Sequence, residues 1–75
     1  MQSAIRSPSQ LAQFLKQSRK SRKLSQKELA DLAGVPQVTI SSIESGARNP
    51  SIPTLFSLLV AMDLELAAQA RPKGK

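Results

Sequence analysis

SQKELADLAGVPQVTISSIESG, residues 25–46, carries the signals for two short helices joined by a tight turn. Ser25 and Glu28 have the spacing of a capping box, in which each side chain bonds the backbone N–H of the other residue. Gly34 can adopt the positive φ that ends a helix, and Pro36 suits the start of the next helix because its missing N–H costs nothing there. We therefore predict a helix-turn-helix unit. The apolar residues that we assign to the inner face of its first helix are Leu29, Leu32 and Ala33.

The second helix is predicted from about Pro36 to Ser45, and its two faces differ in character. Ile40 and Ile43 point inward, whereas the outward residues are small and nearly uncharged. A solvated surface usually carries charge, but small side chains allow a helix to approach the base edges in a DNA groove. Gln can bond adenine through two hydrogen bonds, and a Val methyl can contact the thymine methyl. The residues that we predict to contact bases are Gln37, Val38, Ser41 and Ser42, with simple solubility as the alternative for Ser42.

The charge of the chain also favours a nucleic-acid partner. The formal net charge is +6, from 11 Lys and Arg residues against 5 Asp and Glu residues. Six of the basic residues fall within residues 16–27. Such a run is often only a solvated face, but this run lies beside the helix-turn-helix unit. Phosphate contact by these residues would speed encounter with DNA without selecting a sequence. The six basic residues in this window are Lys16, Arg19, Lys20, Arg22, Lys23 and Lys27.

Composition argues against several other functions. Cys and His are both absent, which removes thiolate chemistry and the commonest metal ligand and general base. Glu28 and Asp31 share a helix face, but capping and the helix dipole account for both acids. We therefore predict no enzyme activity, catalytic residue, metal, cofactor or small-molecule substrate. No apolar run approaches the ~20 residues of a membrane span, so we expect no membrane partner and a cytoplasmic location.

The remaining chain is expected to complete one small all-α domain over residues 7–63, after a flexible arm at 1–6. Ser7 can cap a first helix that has Pro8 in its first turn and Gln10 completing a second capping box. This helix is predicted to end near residues 21–23. Ser51 can cap the last helix, which also carries Pro53 in its first turn. The apolar stripe that we assign to the core along this last helix is Leu55, Leu58, Leu59 and Met62, part of it shared with a second subunit.

Residues 64–70 permit two readings. Their alternation of larger and smaller or polar residues favours a strand, whereas Leu66 also continues the helical stripe four residues after Met62. A strand here has no other strand to pair with, so the simplest partner is the same segment of a second copy. The residues alone leave strand and helix open for this segment, which is followed by a basic tail at 71–75; a strand would serve dimerisation. The dimerisation residues are Leu64, Leu66 and Ala68.

Residues 9–62 resemble the helix-turn-helix proteins of the Cro/C1 (XRE) phage-repressor family. The matching motifs are Ser25-Gln26, Leu29-Ala30, Gly34-Val35, Thr39-Ile40-Ser41, Glu44-Ser45-Gly46, Pro50 and Thr54-Leu55. The resemblance implies a lambda-repressor-like fold of about four helices, a homodimer and an operator of double-stranded DNA. Pro36 departs from the family pattern, since many relatives have a polar residue there. The resemblance assigns phosphate contact to Gln26, Arg48 and Asn49. We add Thr39, which lies at the side of the second helix, and Lys27 of the first helix.

A finer resemblance is to the HipB antitoxins, and it is carried by residues 7–12 (SPSQLA) and 64–66 (LEL). It favours the strand at 64–70, paired across a dimer. It also implies repression of the protein's own operon at a palindromic operator, together with binding of a HipA-like Ser/Thr kinase. The sequence itself contains no kinase-binding motif. The alternative is a stand-alone regulator, such as a phage repressor or a restriction-modification controller. A non-specific nucleic-acid coating protein is disfavoured because the outward face of the second helix, at residues 36–45, has so little charge.

Overall fold

The computed structural model describes residues 4–70, which form four helices and no strand. Helix α1 spans Pro8–Ser21, α2 spans Gln26–Ala33, α3 spans Gln37–Glu44 and α4 spans Ile52–Ala61. The predicted all-α class and the four helices are confirmed, with α3 one residue shorter at each end than expected. The predicted tail at 71–75 and the first three residues of the predicted arm lie outside the described residues.

The start of α1 forms only half of the predicted capping box. The Ser7 hydroxyl accepts a hydrogen bond from the Gln10 N–H at 3.1 Å, as expected. The Gln10 side chain, however, accepts from the N–H of Arg6 and not from that of Ser7. The prediction was therefore wrong for the second hydrogen bond of the capping box, because the flexible Gln10 side chain reaches one residue further back than the motif requires.

The start of α2 has the complete capping box. The Ser25 hydroxyl accepts from the Glu28 N–H at 3.0 Å, and the Glu28 carboxylate accepts from the Ser25 N–H at 2.8 Å. At the other end, Gly34 has φ +72° and its N–H donates to the Ala30 carbonyl at 2.9 Å. This left-handed residue ends α2 and turns the chain into α3, as predicted.

The inner face of α2 differs from the prediction at Leu32, which is largely exposed. Leu29 and Ala30 are the buried residues of this helix, and Ala33 is half-buried. At about 100° per residue, a face centred among these three leaves Leu32 roughly a quarter-turn or more away. The i, i+3 spacing placed Leu32 near the core side, but α2 is rotated toward Ala30.

One aliphatic core holds the four helices together. It lies where α2 packs against α3 and α4 and where α1 packs against α3. The stripe predicted on α4 is confirmed, since Leu55, Leu58 and Leu59 are buried and Met62 is buried just after the helix ends. The largest fully buried side chains are Leu15, Leu29, Ile40, Ile43, Leu58 and Met62.

Arg22 ties the end of α1 to the end of α4. Its Nε donates to the Met62 carbonyl at 2.7 Å, and its Nη1 donates to the Ser18 carbonyl at 3.0 Å. Both acceptors lie at helix C-termini, where a cation is electrostatically favourable. These contacts engage the Nε and Nη1 of Arg22, which remains exposed, so its contact with a phosphate stays a prediction.

Residues 64–70 form neither helix nor strand. The Leu64 N–H donates to the Leu59 carbonyl at 2.7 Å, and the Leu64 side chain packs against the core, whereas Leu66 and Ala68 are exposed. A strand requires a second strand for its backbone hydrogen bonds, and the other described elements are all helices. The predicted strand is thus not formed within one chain, and its pairing with a second copy stays a prediction. None of the helices in residues 4–70 is long and apolar enough to cross a membrane.

Candidate nucleic-acid interface

Helix α3 presents the two faces that its sequence predicts. Ile40 and Ile43 are each only 1% exposed and anchor the back of the helix in the core. On the front, Gln37, Val38 and Ser41 are exposed to solvent. Because the buried isoleucines fix the rotation of α3, its outer side chains have a defined orientation, which a helix needs if it is to read base edges.

Ser42 lies at the margin of this front face and is half-buried. Its carbonyl accepts hydrogen bonds from the N–H groups of Ala47 at 3.0 Å and Arg48 at 3.2 Å, and from the Ser45 hydroxyl at 3.1 Å. The backbone of Ser42 therefore organises the loop that follows α3. Its contact with a base stays a prediction.

The N-terminus of α3 has no side-chain cap. Pro36 occupies the capping position with φ −64°, and no side chain accepts from the first N–H groups of the helix. Uncapped N–H groups and the helix dipole attract an anion such as a DNA phosphate. Pro36 thus removes a polar side chain from this position. The Thr39 N–H already donates to the Pro36 carbonyl at 3.0 Å, so the donors left for an anion are the N–H groups of Gln37 and Val38.

A cleft of about 220 Å³ opens beside the C-terminal half of α3. It brings together three of the five residues predicted to contact phosphate, namely Thr39, Arg48 and Asn49. Arg48 and Asn49 are exposed, whereas Thr39 is half-buried. The other residues lining the cleft are Ile43, Pro50, Ser51 and Thr54. Hydroxyl, amide and guanidinium donors converge here, which is the donor set that binds a phosphate oxygen.

A buried ion pair fixes α3 to the rest of the fold. Arg19 of α1 donates to Glu44 at the end of α3 through two bonds, Nε to Oε2 at 2.7 Å and Nη2 to Oε1 at 3.0 Å. The Arg19 Nη1 also donates to the Leu24 carbonyl at 2.7 Å, and the Gln26 amide of α2 donates to Glu44 Oε1 at 3.1 Å. Three helices therefore meet at one carboxylate. We call Arg19, Gln26 and Glu44 the ionic lock.

The ionic lock is well shielded, and its electrostatics favour the charged forms. The side chains of Arg19 and Glu44 are only 10% and 4% exposed. Burial alone would raise the pKa of Glu44, but hydrogen bonds from Arg19 and Gln26, with the charges of Arg19 and Lys16, lower it overall. The hydrogen bond to Glu44 raises the pKa of Arg19 against the opposing effect of burial. Glu44 is thus held as a carboxylate.

The two predicted phosphate contacts on α2 have different surroundings. Gln26 uses one amide N–H for Glu44, so its second N–H remains for a phosphate beside the helix N-terminus. Lys27 is exposed and forms an ion pair with Asp31 at 3.2 Å, with side chains 72% and 70% exposed. An exposed pair of this kind is weak and exchanges readily, so Lys27 remains available to a phosphate.

The sequence prediction missed the ionic lock. Arg19 was assigned to the phosphate-binding run, and this was wrong because its guanidinium is buried against Glu44. A signal was present, because Leu11, Leu15 and Arg19 recur every four residues along one face of α1. A charged residue that continues an apolar stripe predicts burial with a partner of opposite charge. Glu44, which follows Ile43 and lies four residues after Ile40, continues the inner side of α3 in the same way.

Comparison with known proteins agrees with this geometry. A helix-turn-helix family model, HTH_3, matches residues 15–69. The chain therefore belongs to the HTH_3 family of DNA-binding helix-turn-helix proteins, as its resemblance to the Cro/C1 repressors predicted. Within that family it is similar to the antitoxin HipB.

Two HipB antitoxins illustrate the similarity. HipB from Escherichia coli strain K12 is 37% identical over 83% of this chain and 70% of its own length. HipB from Escherichia coli O6:H1 strain CFT073 is 39% identical over 83% of this chain, which spans 66% of that relative. The chain thus corresponds to about two thirds of each HipB protein.

Solved structures of two helix-turn-helix proteins align with this chain. A chain from the structure of a HipA-HipB-O2-O3 complex aligns with a TM-score of 0.86 and 32% identity, covering 95% of this chain and 100% of that one. The restriction-modification controller protein C.AhdI from Aeromonas hydrophila aligns with a TM-score of 0.70 and 35% identity, covering 72% of this chain and 82% of the other.

Proposed function

We propose that the protein is a transcriptional repressor that binds a palindromic DNA operator as a homodimer and represses its own operon. The observation that carries this proposal is the structure of α3, whose isoleucines are buried while Gln37, Val38 and Ser41 face solvent. In a dimer, two such helices would enter successive major grooves about 34–36 Å apart. Bound at the operator, the dimer would block transcription by occupancy.

The contacts divide into two classes within this proposal. Gln37, Val38, Ser41 and Ser42 supply the base contacts that select a sequence. Gln26, Lys27, Thr39, Arg48 and Asn49 supply phosphate contacts that position the protein on the duplex. The net charge of +6 supports the second class, because cations attract the phosphate backbone whatever its sequence.

We further propose that the protein is an antitoxin that binds a HipA-like Ser/Thr kinase and holds it inactive. Support comes from the similarity to HipB, which occurs in a complex with HipA and O2-O3. A stand-alone regulator is the competing function, and the fold shared with the controller protein C.AhdI supports it.

The DNA-binding role is tested by selection of binding sites from random duplexes with the full chain, followed by titration at several salt concentrations. We expect a palindrome with half-sites one helical turn apart, and an affinity that falls steeply with salt. The matched variants are Gln37→Ala, which removes a base contact, and Arg48→Ala, which removes a phosphate contact. An affinity for the selected sites that does not exceed the affinity for random DNA would overturn this role.

The antitoxin role is tested by capture of the tagged protein from its native cells, with mass spectrometry of the bound proteins. We expect a kinase-like protein in stoichiometric amount, and the same amount with Gln37→Ala, because the DNA-reading side chain is not needed for a protein contact. If the capture yields only a homodimer with bound DNA, the stand-alone regulator is the function that remains. This outcome would leave the DNA-binding role intact, so the two proposals fail separately.

A further inference from the structure

The carboxylate of Glu44 accepts one hydrogen bond more than its ion pair requires. Arg19 already donates to both carboxylate oxygens, from Nε to Oε2 at 2.7 Å and from Nη2 to Oε1 at 3.0 Å. This two-bond pairing satisfies the charge of Glu44 and joins α1 to α3. The Gln26 amide adds a third bond, from Nε2 to Oε1 at 3.1 Å. Because the ion pair is complete without Gln26, this third bond can serve a purpose other than stability.

Glu44 dictates which end of the Gln26 amide faces it. A glutamine amide has an oxygen that accepts and an NH2 group that donates, so by shape alone it fits either way round. An ionised carboxylate only accepts, and therefore only the NH2 end of Gln26 can face Glu44. Since the amide is planar, a bond through one N–H also fixes the direction of the second N–H. The Glu44 side chain is only 4% exposed, so water competes little for this bond.

The Gln26 side chain is thereby fixed before any DNA is bound. Gln26 is half-buried and begins α2, next to the exposed Lys27. A free Gln side chain loses rotamer entropy when a ligand fixes it, and this loss weakens binding. In this protein the bond to Glu44 already holds the side chain, so a phosphate contact made by Gln26 loses less entropy on binding.

The same bond connects the two helices of the helix-turn-helix unit. Gln26 is the first residue of α2, and Glu44 is the last residue of α3, the helix that carries the predicted base contacts. The bond therefore sets where a phosphate contact lies relative to side chains such as Gln37 and Ser41. Polar binding sites work only when their groups are held within about 0.5 Å of the productive geometry.

We propose that Glu44 is a positioning residue for DNA binding, which holds the Gln26 amide with its free N–H directed at a DNA phosphate. This inference rests on the proposed function, which assigns a phosphate contact to Gln26. It adds that Glu44, although too buried to touch DNA itself, controls the strength of that contact through Gln26. Because phosphate contacts carry no sequence information, the effect is the same on the operator and on any other duplex.

The first test is a double-mutant cycle on the full chain, with Glu44→Gln and Gln26→Ala made singly and together. Glu44→Gln keeps the size of the side chain but introduces an NH2 group, so either end of the Gln26 amide can then face it. Affinity is titrated on the selected operator and on a scrambled duplex, with circular dichroism as the check that each variant is folded. We expect Gln26→Ala to weaken binding to both duplexes about tenfold, and Glu44→Gln about threefold. When Gln26→Ala is already present, Glu44→Gln should cause no further loss.

The sign of the effect separates positioning from charge. Removing a negative charge strengthens attraction to a polyanion, so Glu44→Gln would tighten binding if only its charge mattered. The matched control is Glu28→Gln, the same change in a carboxylate of α2 that accepts from the Ser25 N–H. Gln also completes a capping box at this position, so the control keeps the fold. We expect Glu28→Gln not to weaken binding, and to act equally with and without Gln26→Ala.

The second test needs neither a substitution nor DNA. The ¹⁵N relaxation of the Gln26 side-chain amide in the free wild type reports whether the amide is fixed on the fast timescale. We expect an order parameter close to that of the backbone of α2, whereas the amide of the exposed Gln37 should be mobile.

Three results would overturn the role of Glu44. They are a Gln26 amide as mobile as that of Gln37, a Gln26→Ala variant that binds DNA like the wild type, and a loss from Glu44→Gln that is equal with and without Gln26→Ala. The last result would mean that Glu44 acts through the packing of α3. Failure of the DNA-binding role looks different, because every protein, wild type included, would then bind the operator and the scrambled duplex equally. The relaxation data and the cycle on the scrambled duplex would still report on Glu44.

Discussion

Helices α3 and α4 both expose a Val from a helix anchored in the same core, yet their surroundings differ. Val38 of α3 lies among small polar residues on a helix whose end is held by the ionic lock. Val60 of α4 lies beside Phe56 and Leu32, on a helix without charged residues. Isolated exposed Val residues are ordinary, so the neighbours and not the exposure indicate the use of each surface.

The difference shows that a small domain carries two exposed helix faces of unlike chemistry. A face that meets base edges keeps polar groups and tolerates water, and its accuracy depends on a fixed helix orientation. A face that meets another apolar surface needs area and the absence of charge. In this protein the buried isoleucines and the ionic lock together hold α3, while α4 is held by aliphatic packing and by the bond from Arg22 at its end. The following predictions break or sharpen this contrast.

The largest effect is expected from breaking the ionic lock. Glu44→Ala leaves the Arg19 guanidinium buried without its partner, which costs about 3–5 kcal/mol of the free energy of unfolding. Urea unfolding followed by circular dichroism measures this loss. The control is Asp31→Ala, which breaks the exposed pair with Lys27 and should change stability by about 0.5 kcal/mol or less. Equal effects of the two substitutions would contradict the distinction between a buried and an exposed pair.

Acid should weaken the same lock without a mutation. The pKa of Glu44 is lower in the folded protein than its ordinary value of 4.5, so the unfolded chain binds this proton more readily. The resulting stabilisation is fully present above pH 4.5 and is lost as pH falls through the folded pKa. Thermal unfolding between neutral and acidic pH measures it, with Glu44→Gln as the control that removes this titration. An acid dependence identical in both proteins would exclude Glu44 as its source.

A smaller effect, on binding and not on stability, is expected at the front of α3. Gln37→Ala should cost about 1–3 kcal/mol of binding to the selected operator and should relax preference at one base position. Arg48→Ala should weaken binding to all duplexes alike and reduce the salt dependence, because it removes a phosphate contact. Titration against the operator and a scrambled duplex separates the two. Unchanged operator preference for Gln37→Ala would remove this residue from the base contacts.

The smallest effect is expected in the turn that leads into α3. Gly34 has φ +72° and nothing lies within 4 Å of the position where a Cβ would stand, so Gly34→Ala adds backbone strain but no clash. The strain should cost about 1 kcal/mol of the free energy of unfolding. Gly34→Asn should cost less, because Asn tolerates the left-handed conformation better than Ala does. If Gly34→Ala destabilised the protein as much as Glu44→Ala, a constraint other than φ would be acting in the turn.

Local signals predicted much of the fold and part of the candidate site. The capping box of Ser25 and Glu28 and the turn at Gly34 depend on residues a few positions apart, which sequence spacing reveals directly. The two faces of α3 followed from helical periodicity in the same way. Leu32 was misplaced because the rotation of a short helix depends on what packs against it, and two or three apolar residues leave this rotation undetermined.

The partners in the longer-range contacts could not be predicted from the sequence, for a different reason. Arg19 continues the apolar stripe of α1 and so carries a signal for burial, but only the fold brings Glu44 to Arg19 and the end of α4 to Arg22. Spacing along a helix predicts which residues share a face, but it does not predict which residue of another helix lies opposite.

The sequence by itself determined the helix starts, the tight turn, the apolar stripe of α4 and the composition of the outer face of α3. These features arise from backbone geometry and side-chain chemistry within a few residues. Only the tertiary structure decided which partners Arg19 and Arg22 meet, how far α2 is rotated and which apolar residues remain on the surface. These depend on the relative positions of helices, because burial and ion pairing are properties of contacts between distant segments of the chain.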